Sequence, residues 1–392
     1  MAEKKRLEVG IDQFTLTLLP IEEIEDQDEW DDLSLKTVNL IVEALDLKNI
    51  YETEVEPMTF GKTHGYDLGL QPSHHDVAVC WHSAYFQSKL GISIRFGAVA
   101  WHIYESRYRE LYDDVVTAVS IIQLLNFVVN HKKTFKFQYS RIDFNVDYFN
   151  YERFSPHILD TGIERGLIRV LTESGSSSCR SRRGYKKNGI IETLELGSRD
   201  SDILGVVYLK GIEQTRKKGY FYEKALKYKE KWVRCEVRFR RKYAHQITGD
   251  FLGMSDDPDT LASYVAQRIS ERFGFYGVND EPLEATADLQ AAAQNCGFAL
   301  LSADDPRDHD LLRSLSYIVT GSGLMSVLAK LDLVYGKGSS YEVMEYLYRY
   351  YCLYYIYRVQ EDNDIGEWVA NHLIETRKTP LKRLFGLAMG KV

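Results

Sequence analysis

Two short segments constrain this chain more than anything else in it. Arg141–Asp147 (RIDFNVD) and Arg234–Arg240 (RCEVRFR) alternate charged or amide side chains with apolar ones, without a break. A period of two is the period of a β-strand, so each segment has one polar and one apolar face. Arg141, Asp143, Asn145 and Asp147 share the first polar face; Arg234, Glu236, Arg238 and Arg240 share the second. Such alternation marks a one-sided antiparallel sheet whose apolar face needs cover from helices. The ordinary reading of each polar face is a salt-bridged surface. If the two strands are neighbours, three acids and several arginines meet, and gathered carboxylates suit a hard divalent cation.

The rest of the chain supplies that cover. Arg6–Leu19, Asp76–Ser83, Gly91–Ala100 and Gly189–Gly197 read as strands, and Asp32–Leu47 and Tyr151–Gly166 as helices. Arg109–His131 reads as one long apolar helix, and the Ser/Arg/Lys-rich Ser174–Asn188 as a mobile loop. After Tyr243 helical spacing takes over, at Pro258–Phe273, Asp310–Leu331, Ser340–Gln360 and Asp364–Thr376. The expected fold is therefore α+β: largely antiparallel sheets with packed helices, in two related halves (1–130 and 131–248), then a helical C-terminal domain (249–392). The many tyrosines between Tyr346 and Tyr357 predict burial between helices or in a subunit contact.

Charge narrows the partners. Cys179–Lys242 holds 19 Lys/Arg against 8 Asp/Glu, a net +11 in a chain whose net charge is −8. A basic segment within an acidic protein suits a polyanion bound in one region, with Arg216, Lys217 and Lys218 as phosphate contacts. The five cysteines are scattered, with no metal spacing, and read as reduced thiols. No leader is expected at the N-terminus, and the most apolar run, Val115–Val129, is too short and polar to span a bilayer. Together these predict a soluble, cytoplasmic protein with no membrane partner. No P-loop, GxSxG or strand–helix GxGxxG occurs, which leaves ATP hydrolysis, serine hydrolysis and dinucleotide binding without support.

One tyrosine is placed for chemistry. Gly197–Asp202 reads as a turn feeding a strand, Ile203–Leu209, that ends near Tyr208 and Lys210. A phenol titrating near 10 needs a neighbouring charge to act as a nucleophile at neutral pH, and Lys210 is a source of one. A half-buried structural tyrosine is the competing reading.

The ordered segments GIDQFTLTL, SRIDFNVDYF, LGSRDSDILGVVYLKGIEQ and RCEVRFRR resemble the replication initiation factor family, the initiators of rolling-circle plasmids and related conjugative-element relaxases. The resemblance spans about Val9 to Tyr243. It implies a DNA-nicking and joining enzyme whose tyrosine, Tyr208 here, becomes joined to a 5′ phosphate at an origin. It further implies Mg²⁺ or Mn²⁺ held by Asp143 and Glu236, with Asp147 a third candidate. Origin DNA, a helicase and a homodimer are the implied partners. Val206 stands where the family carries an arginine, and Arg199, Arg238 or Arg240 are the candidates to replace that charge; Tyr220 and Tyr222 are the substitutes for Tyr208. The departure at Val206 also keeps open a non-catalytic origin-binding protein, and a nuclease using water is a third reading. His64, His82 and His102 are read as structural.

Overall fold

The computed structural model describes residues 4–58, 65–130, 133–172, 181–187, 189–293, 324–355 and 380–389, and a few single positions between 311 and 377. Its centre is a pair of 15-residue strands, β1 (Arg6–Pro20) and β6 (Phe135–Phe149), hydrogen-bonded antiparallel along almost their whole length. On one side of β1 lie β5 (Ile92–Phe96), β4 (Val77–Trp81), β3 (Leu68–Pro72) and β2 (Val55–Pro57). On the other side of β6 lie β11 (Trp232–Arg240), β10 (Ile203–Tyr208), β9 (Ile190–Leu196) and β8 (Arg182–Lys187). From the centre outward each half runs first strand, last strand, then back toward the edge. The two related halves expected from the sequence are thus the two wings of one ten-stranded sheet. A short strand β7 (Arg169–Leu171) pairs separately with β12 (Gly274–Tyr276).

The helices behave as the patterning requires. α1 (Gln27–Ala44) is capped by Asp26 and buries Trp30, Val38 and Ile41. α8 (Arg241–Gly253) and α9 (Pro258–Ser270) bury Ile247, Phe251, Tyr264 and Ile269 in the same core cluster as Phe14, Phe144 and Phe239 of the sheet. That sharing moves the expected division at residue 249. One compact unit runs from Met1 to Leu301, and α8, α9 and α10 (Glu284–Ala292) belong to it. The second unit, Ser302–Val392, contains helices at Leu324–Tyr335, Ser339–Tyr350 and Leu381–Ala388.

Three local expectations change. Arg109–His131 is two helices: α3 (Ala98–Tyr112) ends on left-handed Asp113, and α4 (Ala118–Val129) starts with a Thr117–Ser120 capping box. Part of the expected loop, Arg182–Lys187, is edge strand β8, while 173–180 lie outside the described residues. Tyr346, Tyr348 and Tyr350 are exposed rather than buried, and the expected helix at 364–376 lies almost wholly outside the described residues. No helix among the described residues is long and apolar enough to cross a membrane.

Candidate active site

The register of β6 against β11 brings the two polar faces together. Asp147 lies opposite Arg234, Asn145 opposite Glu236, Asp143 opposite Arg238 and Arg141 opposite Arg240. Directly opposed residues of an antiparallel pair project to the same side, so all eight side chains share one face. β10 continues it, with Tyr208 opposite Arg234 and Val206 opposite Glu236. On the far side, an irregularity in β1 between Ile11 and Gln13 sets both Asp12 and Gln13 against this face: Asp12 meets Arg234 and Gln13 meets Asp143.

Buried charges here are paired with arginines. Arg234 is 2% exposed and forks onto Asp147, with Nε–Oδ1 and Nη2–Oδ2 both 2.7 Å, while its Nη1 lies 2.5 Å from Asp12. Asp143, fully buried, receives Arg141 through two bonds of 2.8 and 2.6 Å, Arg238 at 3.1 Å and Gln13 at 2.8 Å. Burial alone would lower the Arg234 pKa. The charge and hydrogen bonds of Asp147, together with the charge of Asp12 and the Tyr208 phenol, outweigh that effect and hold it well above the usual arginine range. Two of the three expected metal ligands, Asp143 and Asp147, are therefore engaged by guanidinium groups, and no group of three or more His, Cys, Asp or Glu side chains forms a metal cluster among the described residues. An alternating strand predicts a face; it does not predict which charge meets which.

Glu236 is differently placed. The half-buried Tyr208 donates its phenolic hydrogen to Glu236 Oε1, and Lys210 Nζ donates to the phenolic oxygen at 3.1 Å. Lys210 is not on the strand: β10 ends at Tyr208, and Lys210 opens α6 (Lys210–Lys217), yet its ammonium still reaches back. Burial, then the charge of Asp12, pushes the Glu236 carboxyl up to about 7. Burial and the charge of Glu236 push the phenol well above its usual range. Burial would also raise Asp12, but the nearby His102 ring, 3.8 Å away, and the charges of Arg234 and Lys210 hold it below the carboxylate range.

The positive charges bearing on the phenol are Lys210 and Arg234. Arg238 is turned to Asp143, Arg240 donates to the Arg199 carbonyl at 2.6 Å, and Arg199 pairs with Glu195 at 2.7 Å. Arg240 is half-buried directly opposite Arg141; burial and the charges of Arg238 and Arg141 depress its pKa. Of the other basic candidates, Arg216 holds Glu192 through two 2.9 Å bonds, Lys217 holds Glu213 at 2.7 Å, and Lys218 is exposed on a left-handed turn.

Three residues at this face were not expected as functional. Asp12 is the aspartate of GIDQF, detectable as an acid set into an apolar strand. Asn145 stands opposite Glu236, and its Oδ1 is buried without a hydrogen-bond partner. His102 of α3, read as structural, lies 3.8 Å from Asp12 and 3.1 Å from Glu105.

A family model places much of this sheet. Residues 138–288 match the replication initiation factor family. That segment includes β6, β10 and β11, and with them Tyr208, Lys210, Asn145 and Glu236. The chain is also similar in fold to a rolling circle replication initiator protein from Geobacillus stearothermophilus: TM-score 0.50, 16% identity, 76% of this chain and all of the other covered. A search of curated proteins finds no match. The likeness to that solved structure is one of fold, and the family match covers the segment from β6 to α10.

Proposed function

We propose that this chain is a replication initiator that cuts and rejoins one strand of its origin DNA through Tyr208. One observation carries the reading: a strand-end phenol on the polar face is hydrogen-bonded to a carboxylate titrating near neutrality and to an ammonium group, inside the matched segment.

The Tyr208 oxygen attacks the scissile phosphorus, its proton passes to Glu236 Oε1, and the bond from phosphorus to the 3′ oxygen breaks. The 3′ oxygen takes up a proton from water as it leaves, Glu236 returns its own proton to solvent, and the 5′ phosphate stays on Tyr208. Lys210 stabilises negative charge on the phenolic oxygen as the proton departs. Since the resting phenol is held protonated, proton loss accompanies attack rather than preceding it. The phosphodiester energy is kept in the phosphotyrosine, so a 3′ hydroxyl reverses the step without ATP.

Among the described residues no three His, Cys, Asp or Glu side chains gather for a metal, but two carboxylates and an amide oxygen stand on this polar face. Asp12, itself bonded to Arg234, is close enough to Glu236 for its charge to raise that carboxyl, and the orphaned Asn145 Oδ1, opposite Glu236, is a third oxygen. Those three would hold Mg²⁺ or Mn²⁺, which take oxygen ligands and supply Lewis-acid stabilisation of phosphate charge. The opposed Arg141 and Arg240, with Arg238 beside them, gather positive charge on the same face that a DNA phosphate would relieve.

The deciding experiment incubates the protein and supercoiled DNA flanking its own gene with Mn²⁺. A site-specific nick and a detergent-resistant protein–DNA adduct are expected. A shift of DNA mobility with neither product would favour the non-catalytic origin binder, to which Val206, opposite Glu236 where the family resemblance implies an arginine, gives its support.

A further inference from the structure

Between α6 and α7 (Tyr222–Tyr228) the chain makes a tight turn that displays one aromatic ring. Lys218 adopts a left-handed conformation (φ 47°). Gly219 follows it, and a Cβ there would lie 2.4 Å from Gln214 Oε1. Buried Gln214 grips the turn twice: its carbonyl accepts the Gly219 N–H and its Oε1 accepts the Phe221 N–H, both at 3.1 Å. The Gly219 carbonyl accepts the Tyr222 N–H at 2.9 Å.

At the tip of this clamped turn Tyr220 is 45% exposed. Its ring runs within 10° of parallel to the His102 ring, centroids 6.5 Å apart, and Phe221 stands edge-on to both, 4.9 Å from each. Phe221 is itself seated on Trp232. His102 in turn lies 3.8 Å from Asp12, whose partner Arg234 is 3.9 Å from Glu236. The exposed ring is therefore rigidly mounted at the rim of the Tyr208 site, with Arg216, Lys217 and Lys218 immediately before it in the chain. A ring fixed in this way keeps one face open to a flat partner at little cost in ordering. Surface ion pairs such as Arg216–Glu192 and Lys217–Glu213 are weak and exchange readily for phosphate.

We infer that Tyr220 is a stacking platform for an unpaired base of the strand being cut, with the Arg216–Lys218 turn holding adjacent phosphates. The inference rests on the initiator reading, because nicking a duplex exposes unpaired bases beside the nucleophile. Aromatic stacking accepts any base, so the site fixes the strand's position and leaves origin choice to other contacts.

The test uses the full chain and two fluorescent probes: oligothymidylate of about 20 nucleotides, and the same backbone with abasic positions throughout. Tyr220→Ala should bind oligothymidylate about fivefold to 150-fold more weakly than wild type, the range one stacked base supplies. Tyr220→Phe should restore binding. On the abasic probe wild type and Tyr220→Ala should be indistinguishable. Unchanged affinity for oligothymidylate, or an equal loss on both probes, would overturn the inference. Adduct formation by Tyr208 on supercoiled DNA is scored separately. Adducts without the base-dependent loss defeat only the platform; the base-dependent loss without adducts defeats only the nicking.

Discussion

The phenolic hydroxyl of Tyr208 is bonded to Glu236, the carboxylate two residues along β11 from its cross-strand partner Arg234. Burial and the charge of Asp12 push that carboxyl up to about 7, so the group best placed to take the phenol's proton changes state near neutrality. This one contact joins the proposed nucleophile, its proposed proton acceptor and the buried charge cluster behind them.

Removing the hydroxyl should separate chemistry from binding. Tyr208→Phe is expected to give no detectable nick or adduct while origin affinity stays within about threefold, or 0.7 kcal/mol. Gel-resolved nicking alongside fluorescence anisotropy reads both. Normal nicking by Tyr208→Phe would remove this residue from the role.

Glu236 imposes a pH signature. Its folded value is raised, so between pH 4.5 and about 7 the native state keeps a proton that the unfolded chain has lost. Its contribution to stability therefore falls as pH rises through that window and stays low above it. Glu236→Gln should unfold in urea at about the wild-type midpoint at pH 4.5 and be about 1–3 kcal/mol more stable at pH 8. It should also fail to form adducts. In wild type, the metal-free rate should climb through pH 7 as Glu236 ionises, and Mn²⁺ should move that inflection lower by favouring the ionised form. An inflection indifferent to Mn²⁺ counts against Glu236 as a ligand.

Arg234 carries the largest structural penalty. Arg234→Met leaves buried Asp147 and Asp12 without their partner and should cost about 3–5 kcal/mol. Adding Asp12→Asn and Asp147→Asn should return most of that loss in urea denaturation. No recovery would mean that packing, rather than stranded charge, sets the cost.

The Arg141–Arg240 opposition should appear in the salt dependence. Arg240→Ala relieves like-charge crowding, so folding stability should hold or rise by a few tenths of a kcal/mol. If a phosphate occupies that position, the slope of log affinity against log salt should shrink by about 0.9. An unaltered slope places the phosphates elsewhere.

The sequence by itself determined the strands that carry the site and their sides. Alternation is local: a period of two commits Asp143, Asn145 and Asp147 to one side of β6, and Glu236 and Arg238 to one side of β11, whatever their neighbours. It also located Tyr208 at a strand end with Lys210 two residues on. Pairings were beyond it, since they depend on which strands adjoin and in what register. The long-range register of β1, β6 and β11, with one irregularity at Asp12, gave Asp143 and Asp147 to arginines and left Glu236 to the phenol. It also drew in Asp12 and His102, more than 100 residues from Tyr208, because a buried charge is settled by whatever opposite charge folding brings beside it.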